Sequence, residues 1–228
     1  MMNQFKTILS VCLIVCALTV QAVTPVALKK ETANYILDVN YPQGFKDANV
    51  NTVVKDFIEY TEKNFYSEIA KEDDVGADVS GKSGLNIIYS IAYQQNNALS
   101  IRFNVSIYHR GAVHPLNTVS VLNFINGRQV KLADLFVPGA DYLKPISKIS
   151  NKKISAKNIS DAQWIQEGTK PIAENYHNWL FTPHGLAIIF DSYQVAAYVY
   201  GAQTVLIPLS AMSRLVKPEL LNTVWKKP

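Results

Sequence analysis

The side chains of this chain that could bind metal, move protons or attack a carbonyl are few. Its four histidines are His109, His114, His177 and His184, each near a turn. Glu174 and His177 have the spacing of a Glu-x-x-His metal pair, which works only when both face inward on a helix with matching partners elsewhere. Trp179, Leu180 and Phe181 point to strand or turn at that place instead. His109 and His114 flank Gly111 and could converge, but zinc wants a third ligand and an open position, and no HExxH or similar cluster is present. Structural roles are expected for the histidines, and no metal or cofactor is assigned. Nucleophilic catalysis has no better footing: there is no Gly-x-Ser-x-Gly elbow, and the pattern beginning at Ser80 ends in Ser83 rather than Lys. Glycoside hydrolysis needs two carboxylates facing across a cleft, roughly 5 to 9.5 Å apart. Asp134, Glu174 and Asp191 are candidates by position only, and nothing in the sequence pairs them.

The segment that invites a binding role is aromatic. Tyr193, Tyr198 and Tyr200 fall in a loop after the apolar run ending at Phe190. Tyrosines so placed present large amphipathic surfaces with little entropy to lose, as binding surfaces do. The alternative is that they pack over a sheet with their hydroxyls satisfied. Phe190 belongs to the core.

The elements that must position these residues follow from periodicity. Residues 23–32 look like a mobile leader, and the first strand is 35–41, stopped by Pro42. From Asp47, placed as an N-cap, to residue 71, Val50, Val53, Val54, Phe57, Ile58, Phe65 and Ile69 recur at helical spacing. An acidic loop, 72–84, leads into two strands, 85–94 and 98–109. In the second, Leu99, Ile101, Phe103, Val105 and Ile107 alternate with Ser100, Arg102, Asn104, Ser106 and Tyr108, a period of two with one buried face. Strands at 118–125 and 129–132 are joined by Asn126-Gly127, a strong hairpin signal. A helix is expected at 141–154, short strands at 175–181, 186–190 and 204–207, and a short helix capped by Ser210 running to Val216. Residues 158–169 stay unassigned. The fold class is α+β: an antiparallel sheet with a long N-terminal helix and a second helix packed on it.

The first twenty-two residues read as a signal peptide, with Lys6 before an apolar stretch at 8–20 and small residues at Val20-Gln21-Ala22. Both cysteines, Cys12 and Cys16, lie inside it, so the mature chain from Val23 has no thiol for a disulfide, a nucleophile or a metal. No membrane span is expected after cleavage, because the apolar stretch is shorter than the roughly 20 residues a spanning helix needs. A net charge of +4 among dispersed basic residues excludes a nucleic-acid footprint, and an apolar fraction of 48% excludes disorder. The domain reading is 1–22 signal peptide, 23–110 N-terminal half, 111–216 C-terminal half and 217–228 a basic, loose tail.

Three segments carry a family resemblance. They are Gly111-Ala112-Val113-His114-Pro115-Leu116-Asn117 with the strand after it, Asn126-Gly127 through Leu132-Ala133-Asp134-Leu135-Phe136, and residues 186–190 followed by Tyr193-Gln194-Val195-Ala196, Gly201 and Val205-Leu206-Ile207-Pro208. In order and spacing the chain, over residues 35–215, resembles the extracytoplasmic domain family shared by the anti-sigma factor RsiV and the non-catalytic amino-terminal region of the peptidoglycan deacetylase PdaC. The resemblance implies helices packed on an antiparallel sheet and a periplasmic or secreted location. It also implies a binding edge at His114, Tyr193, Gln194 and Tyr198. Some members of that family bind lysozyme; others accompany cell-wall enzymes. Ser192 and Ala197 stand where the family has proline, which predicts a less rigid aromatic loop. No transmembrane helix with a sigma-binding segment precedes the domain and no deacetylase catalytic domain accompanies it, so neither activity is expected. The expected function is that of an exported, non-enzymatic module binding a lysozyme-type muramidase or peptidoglycan. The alternatives are a wall-acting hydrolase or deacetylase-associated enzyme using Asp134, Glu174 or Asp191, and an envelope scaffold.

Overall fold

The apolar half of the alternating strand needs a cover, and the periodic helix supplies it. In a computed structural model describing residues 23–71 and 80–225, six strands form one sheet in the order β1 to β6. They are β1 Thr24–Glu31, β2 Tyr35–Gln43, β3 Ser83–Gln95, β4 Ala98–Tyr108, β5 Leu116–Ile125 and β6 Arg128–Gln129. Helix α1, Ala48–Ile69, buries Val50, Val54, Ile58 and Phe65 on this sheet, with the Phe57 and Phe103 rings 4.7 Å apart. Full burial of each such side chain contributes about 1.5–3 kcal/mol. Asp47 caps the helix by accepting from the Asn49 amide at 2.9 Å. The signal peptide, the acidic stretch 72–78 and the lysine pair 226–227 lie outside the described residues.

Two features of this sheet differ from expectation. Residues 23–32 are not a leader: Thr24–Glu31 pairs antiparallel with β2 along its whole length. This strand is exposed at almost every position, so no buried alternation marks it in the sequence. In addition β2 runs parallel to β3, because the connection between them passes through α1 and need not reverse the chain. The remaining pairs are antiparallel, and Asn126 and Gly127 adopt the left-handed conformations (φ 50° and 72°) that their tight hairpin requires.

A second, antiparallel sheet holds β7 Trp179–Thr182, β8 Gly185–Phe190 and β9 Gln203–Pro208. Every residue of β8 is buried, since both faces are covered. Helix α2, Leu143–Ser155, packs here through Ile146 and Ile154, so the second helix sits on this smaller sheet rather than on the larger one. The unassigned segment contains α3, Ala162–Gly168, capped by Asp161, which accepts from Trp164 N at 2.8 Å. The helix expected at 210–216 is a single 3-10 turn at Leu209–Ala211, and the true last helix is α4, Pro218–Val224, in what reads as a tail. Pro218 suits the first turn, where its missing N–H is no loss. Val224 is buried, its carbonyl accepts from the Tyr93 hydroxyl at 3.1 Å, and the Trp225 indole donates to Thr182 O at 3.0 Å. Among the described residues no helix is long and apolar enough to cross a membrane.

Candidate functional site

The polar face of the large sheet is divided by the small one. At the β7 end, Ser100 is fully buried: its hydroxyl donates to Asn123 Oδ1 (2.6 Å) and accepts from Phe181 N (2.9 Å). Farther along, the same face is left uncovered and becomes the floor of an open groove of about 490 Å³. Period-two geometry puts Arg102, Asn104 and Ser106 of β4 on this floor beside Asn86 and Ile88 of β3 and Asn117 to Val119 of β5. Arg102 Nε donates to Asn104 Oδ1 at 3.1 Å, which fixes both planar groups.

The groove wall is Ser192 and the segment from Tyr198 to Ala202. Tyr198 is held at its hydroxyl and its ring. The hydroxyl donates to Pro115 O at 2.9 Å and accepts from Asn117 Nδ2 at 2.6 Å, and the ring stacks on His114 at 4.2 Å and 21°. Tyr193 lies 5.5 Å from Tyr198, with its own backbone in the left-handed region at φ 69° and its carbonyl accepting from the Trp164 indole at 2.9 Å. A bulky residue at such a φ is a genuine outlier, of a kind that concentrates at binding sites. Val113, Leu116, Tyr193, Val199 and Tyr200 are exposed around this wall.

Of the residues expected at a binding edge, His114, Tyr193 and Tyr198 come together. Gln194 turns inward: its amide donates to Gly168 O (3.1 Å) and Asn175 O (3.0 Å), and its carbonyl oxygen accepts from Asp191 N (3.1 Å). It braces the loop from behind. The tyrosines differ in setting: the Tyr198 hydroxyl is satisfied, while Tyr193 and Tyr200 are half exposed. Arg102, Asn104 and Asn117 escaped sequence reasoning. Their signal was the polar half of the β4 alternation, which is indistinguishable from an ordinary solvated face until the neighbouring wall is known.

Behind the wall sits a polar junction between the two sheets. Asp191 accepts from Val119 N at 2.9 Å and from Asn178 Nδ2 at 3.1 Å, and Asn178 also donates to Val119 O at 2.7 Å. His177 Nε2 is 3.4 Å from the same carboxylate, and its Nδ1 lies 2.6 Å from Glu174 O. A carbonyl can only accept, so Nδ1 carries the hydrogen, and the second nitrogen gains a proton readily beside the carboxylate. Asp191 raises the His177 pKa above its ordinary value; partial burial opposes this and the Glu174 carbonyl assists it. The other two candidate carboxylates stand apart from the groove. Asp134 accepts from Lys131 N at 2.7 Å within its own turn, and Glu174 is exposed on a 3-10 turn, Ala173–Tyr176. His109 has a separate partner, Glu68, at 3.3 Å. Among the described residues, no three His, Cys, Asp or Glu side chains gather to hold a metal ion.

Comparison with known proteins places this architecture. Residues 133–210, which include the groove wall but not its floor, match the family described as protein of unknown function, DUF3298. Over 205 residues, 86% of the chain, the sequence is 30% identical to the peptidoglycan-N-acetylmuramic acid deacetylase PdaC of Bacillus subtilis strain 168. The chain spans only 42% of that protein's length. Two crystal structures share the fold. A DUF3298 family protein from Pseudomonas aeruginosa PAO1 superposes with a TM-score of 0.66 at 13% identity, over 91% of this chain and 98% of that one. A DUF3298 member from Bacteroides fragilis NCTC 9343 superposes at 0.56 and 19% identity, over 88% and 96%. The chain therefore matches DUF3298 over residues 133–210, shares the fold of solved DUF3298 proteins, and is similar in sequence to one region of PdaC.

Proposed function

We propose that this chain is an exported cell-envelope binding module whose groove takes a glycan strand of peptidoglycan. The observation that carries the reading is the pairing of a pinned aromatic wall, Tyr198 stacked on His114, with a floor of fixed amide and guanidinium groups, Asn86, Arg102, Asn104 and Asn117. Sugar rings offer C–H faces that lie on aromatic rings, and hydroxyl and N-acetyl groups that meet planar polar side chains. A volume near 490 Å³ falls within the range of small-ligand clefts and suits one or two sugar units at a time. The similarity to PdaC, named for a peptidoglycan deacetylase, supports the choice of polymer, and the signal-peptide reading supports the location. None of Asp134, Glu174 and Asp191 lines the groove, so binding is favoured over turnover.

A second reading is favoured by a specific feature: Val113, Leu116, Val199 and Tyr200 make an exposed apolar rim, which fits a protein partner such as a lysozyme-type muramidase. One experiment separates the two. Calorimetric titration of the purified chain with soluble disaccharide muropeptides and glycan oligomers should give saturable binding, weakened about tenfold or more in Tyr198→Ala, in line with loss of roughly 1.4 kcal/mol or more of stacking and hydrogen bonding. Binding to lysozymes alone would favour the protein partner. No heat with either ligand class would refute both.

A further inference from the structure

Helix α2 carries four lysines, and a fifth, Lys157, follows just past its end. Lys153 and Lys157, one turn apart, reach the edge of the small sheet, donating to Leu206 O (2.9 Å) and Gln203 Oε1 (2.7 Å). They protect the edge of β9 and are occupied. Lys144, Lys148 and Lys152 recur every fourth residue on another face. Lys144 pairs with Asp141 at 2.9 Å, while Lys148 and Lys152 are exposed and, among the described residues, take part in no ion pair or side-chain hydrogen bond. Ile146, Ser150 and Ile154 take the third, buried face, so the ladder of free ammonium groups is fixed in direction by the packing of the helix.

Lys148 lines a second groove, of about 510 Å³, between α2 and α3, and Lys152 stands one turn along the helix from it. Its lining includes Lys148, Lys170, Asn151, Gln166, Ser147 and Ser155, and contains no carboxylate and no large apolar side chain. Lys170 is shared with Glu167. Asn151 is oriented by donating to Thr169 Oγ1 at 3.1 Å. A groove of ammonium, amide and hydroxyl groups is suited to an anion that also carries hydroxyls. The lack of large apolar side chains in it argues against insertion into a lipid surface.

We infer that the α2–α3 groove is a second binding site, for a soluble phosphate-bearing polyol or polysaccharide chain. Lys148 and Lys152 contact successive phosphates, and Asn151, Gln166 and Ser155 bind the hydroxyls between them. The site lies apart from the Tyr198 groove and shares none of its lining residues, so it stands or falls independently of the glycan reading.

The test is titration of the full chain with poly(glycerol phosphate), at 50 and 200 mM salt, alongside dextran and phosphatidylglycerol vesicles. Contact with two or three phosphates predicts that log K falls against log salt with a slope of about −1.4 to −2.1, at roughly 0.7 per contact on a flexible single chain. Lys148→Gln/Lys152→Gln should flatten the slope by about 1.4 and weaken binding about tenfold or more at low salt. Lys153→Gln/Lys157→Gln and Tyr198→Ala should change neither by more than twofold. The inference is overturned by absence of polymer binding, by equal weakening in both lysine double variants, or by binding that is confined to vesicles or shown equally by dextran.

Discussion

Removing the Asp191 carboxylate tests whether the junction behind the groove is held as described. Asp191→Ala leaves two groups in deficit. The Val119 amide, in a buried residue, loses its acceptor, and an orphaned buried donor costs about 1–3 kcal/mol. Asn178 loses one acceptor but keeps Val119 O, a smaller loss of about 0.5–1.5 kcal/mol. Together the variant should be destabilised by about 3 kcal/mol. Asp191→Asn keeps an acceptor for Val119 N but turns an amide NH₂ toward that of Asn178, and should cost about half as much. Urea unfolding followed by tryptophan fluorescence measures this, with the midpoint falling and the denaturant slope unchanged. A loss below about 1 kcal/mol for Asp191→Ala would refute the junction as an energetic feature.

The same pair sets a pH dependence of known sign. Asp191 raises the folded-state pKa of His177 above its ordinary value of 6.5, so the folded state binds this proton more tightly than the unfolded chain does. The stabilisation is fully present below pH 6.5 and is lost as pH rises through the folded value. His177 is more than half exposed, so the effect is small, but it should vanish in Asp191→Asn. A wild-type midpoint that climbs between pH 6 and 8 while the variant stays flat would contradict the assignment.

Two further substitutions probe the supports of the site. Gly168→Ala places a Cβ 2.0 Å from the backbone oxygen of Gln194, which must move the aromatic loop; a loss of about 3 kcal/mol is expected in thermal or urea unfolding, and a change under about 1 kcal/mol would show that the loop is not packed against α3. Ser100→Ala deprives the buried Phe181 amide and Asn123 carbonyl of their shared hydroxyl and should cost about 2–3 kcal/mol by the same assay, with faster hydrogen exchange at Phe181.

What the sequence made legible was whatever its burial made periodic. Strand β4 was readable because Leu99, Ile101, Phe103 and Val105 all point into one core, and α1 because Val50, Val54, Ile58 and Phe65 do the same at helical spacing. The Asn126-Gly127 turn was readable because few residues tolerate its left-handed backbone. Strand β1 was not, since this edge strand pairs along its whole backbone but buries almost no side chain. Neither was α3, because seven residues give too few turns for a period to register. Splitting the strands into two sheets depends on which apolar runs meet, and the buried run 186–190 could have joined either sheet. His114, Tyr193 and Tyr198 enter the candidate site through the resemblance, whereas Arg102, Asn104 and Asn117 join it only through the wall that stands beside them.

The groove and the junction are physically one arrangement. Strand β5 pairs with β6 only at Phe124 and Ile125, so the rest of its outer edge has no strand partner. An edge left open in that way would expose backbone donors and acceptors to water or to another chain. Here side chains close it at Val119, where Asp191 takes the amide and Asn178 the carbonyl, while Asn123 Nδ2 reaches out from β5 to the Trp179 carbonyl of β7 at 2.7 Å. Val119 also lines the groove, and Ser192, next to Asp191, begins its wall. The side chains that fasten the two sheets therefore set the width of the groove. Because Gln194 and Gly168 tie the same loop to α3, the position of the aromatic wall depends on packing on both sides of it. This accounts for the place of the proposed binding surface at a seam between sheets: a loop carrying Tyr193 at a strained φ persists only where its neighbours over-determine it, and the seam supplies those neighbours.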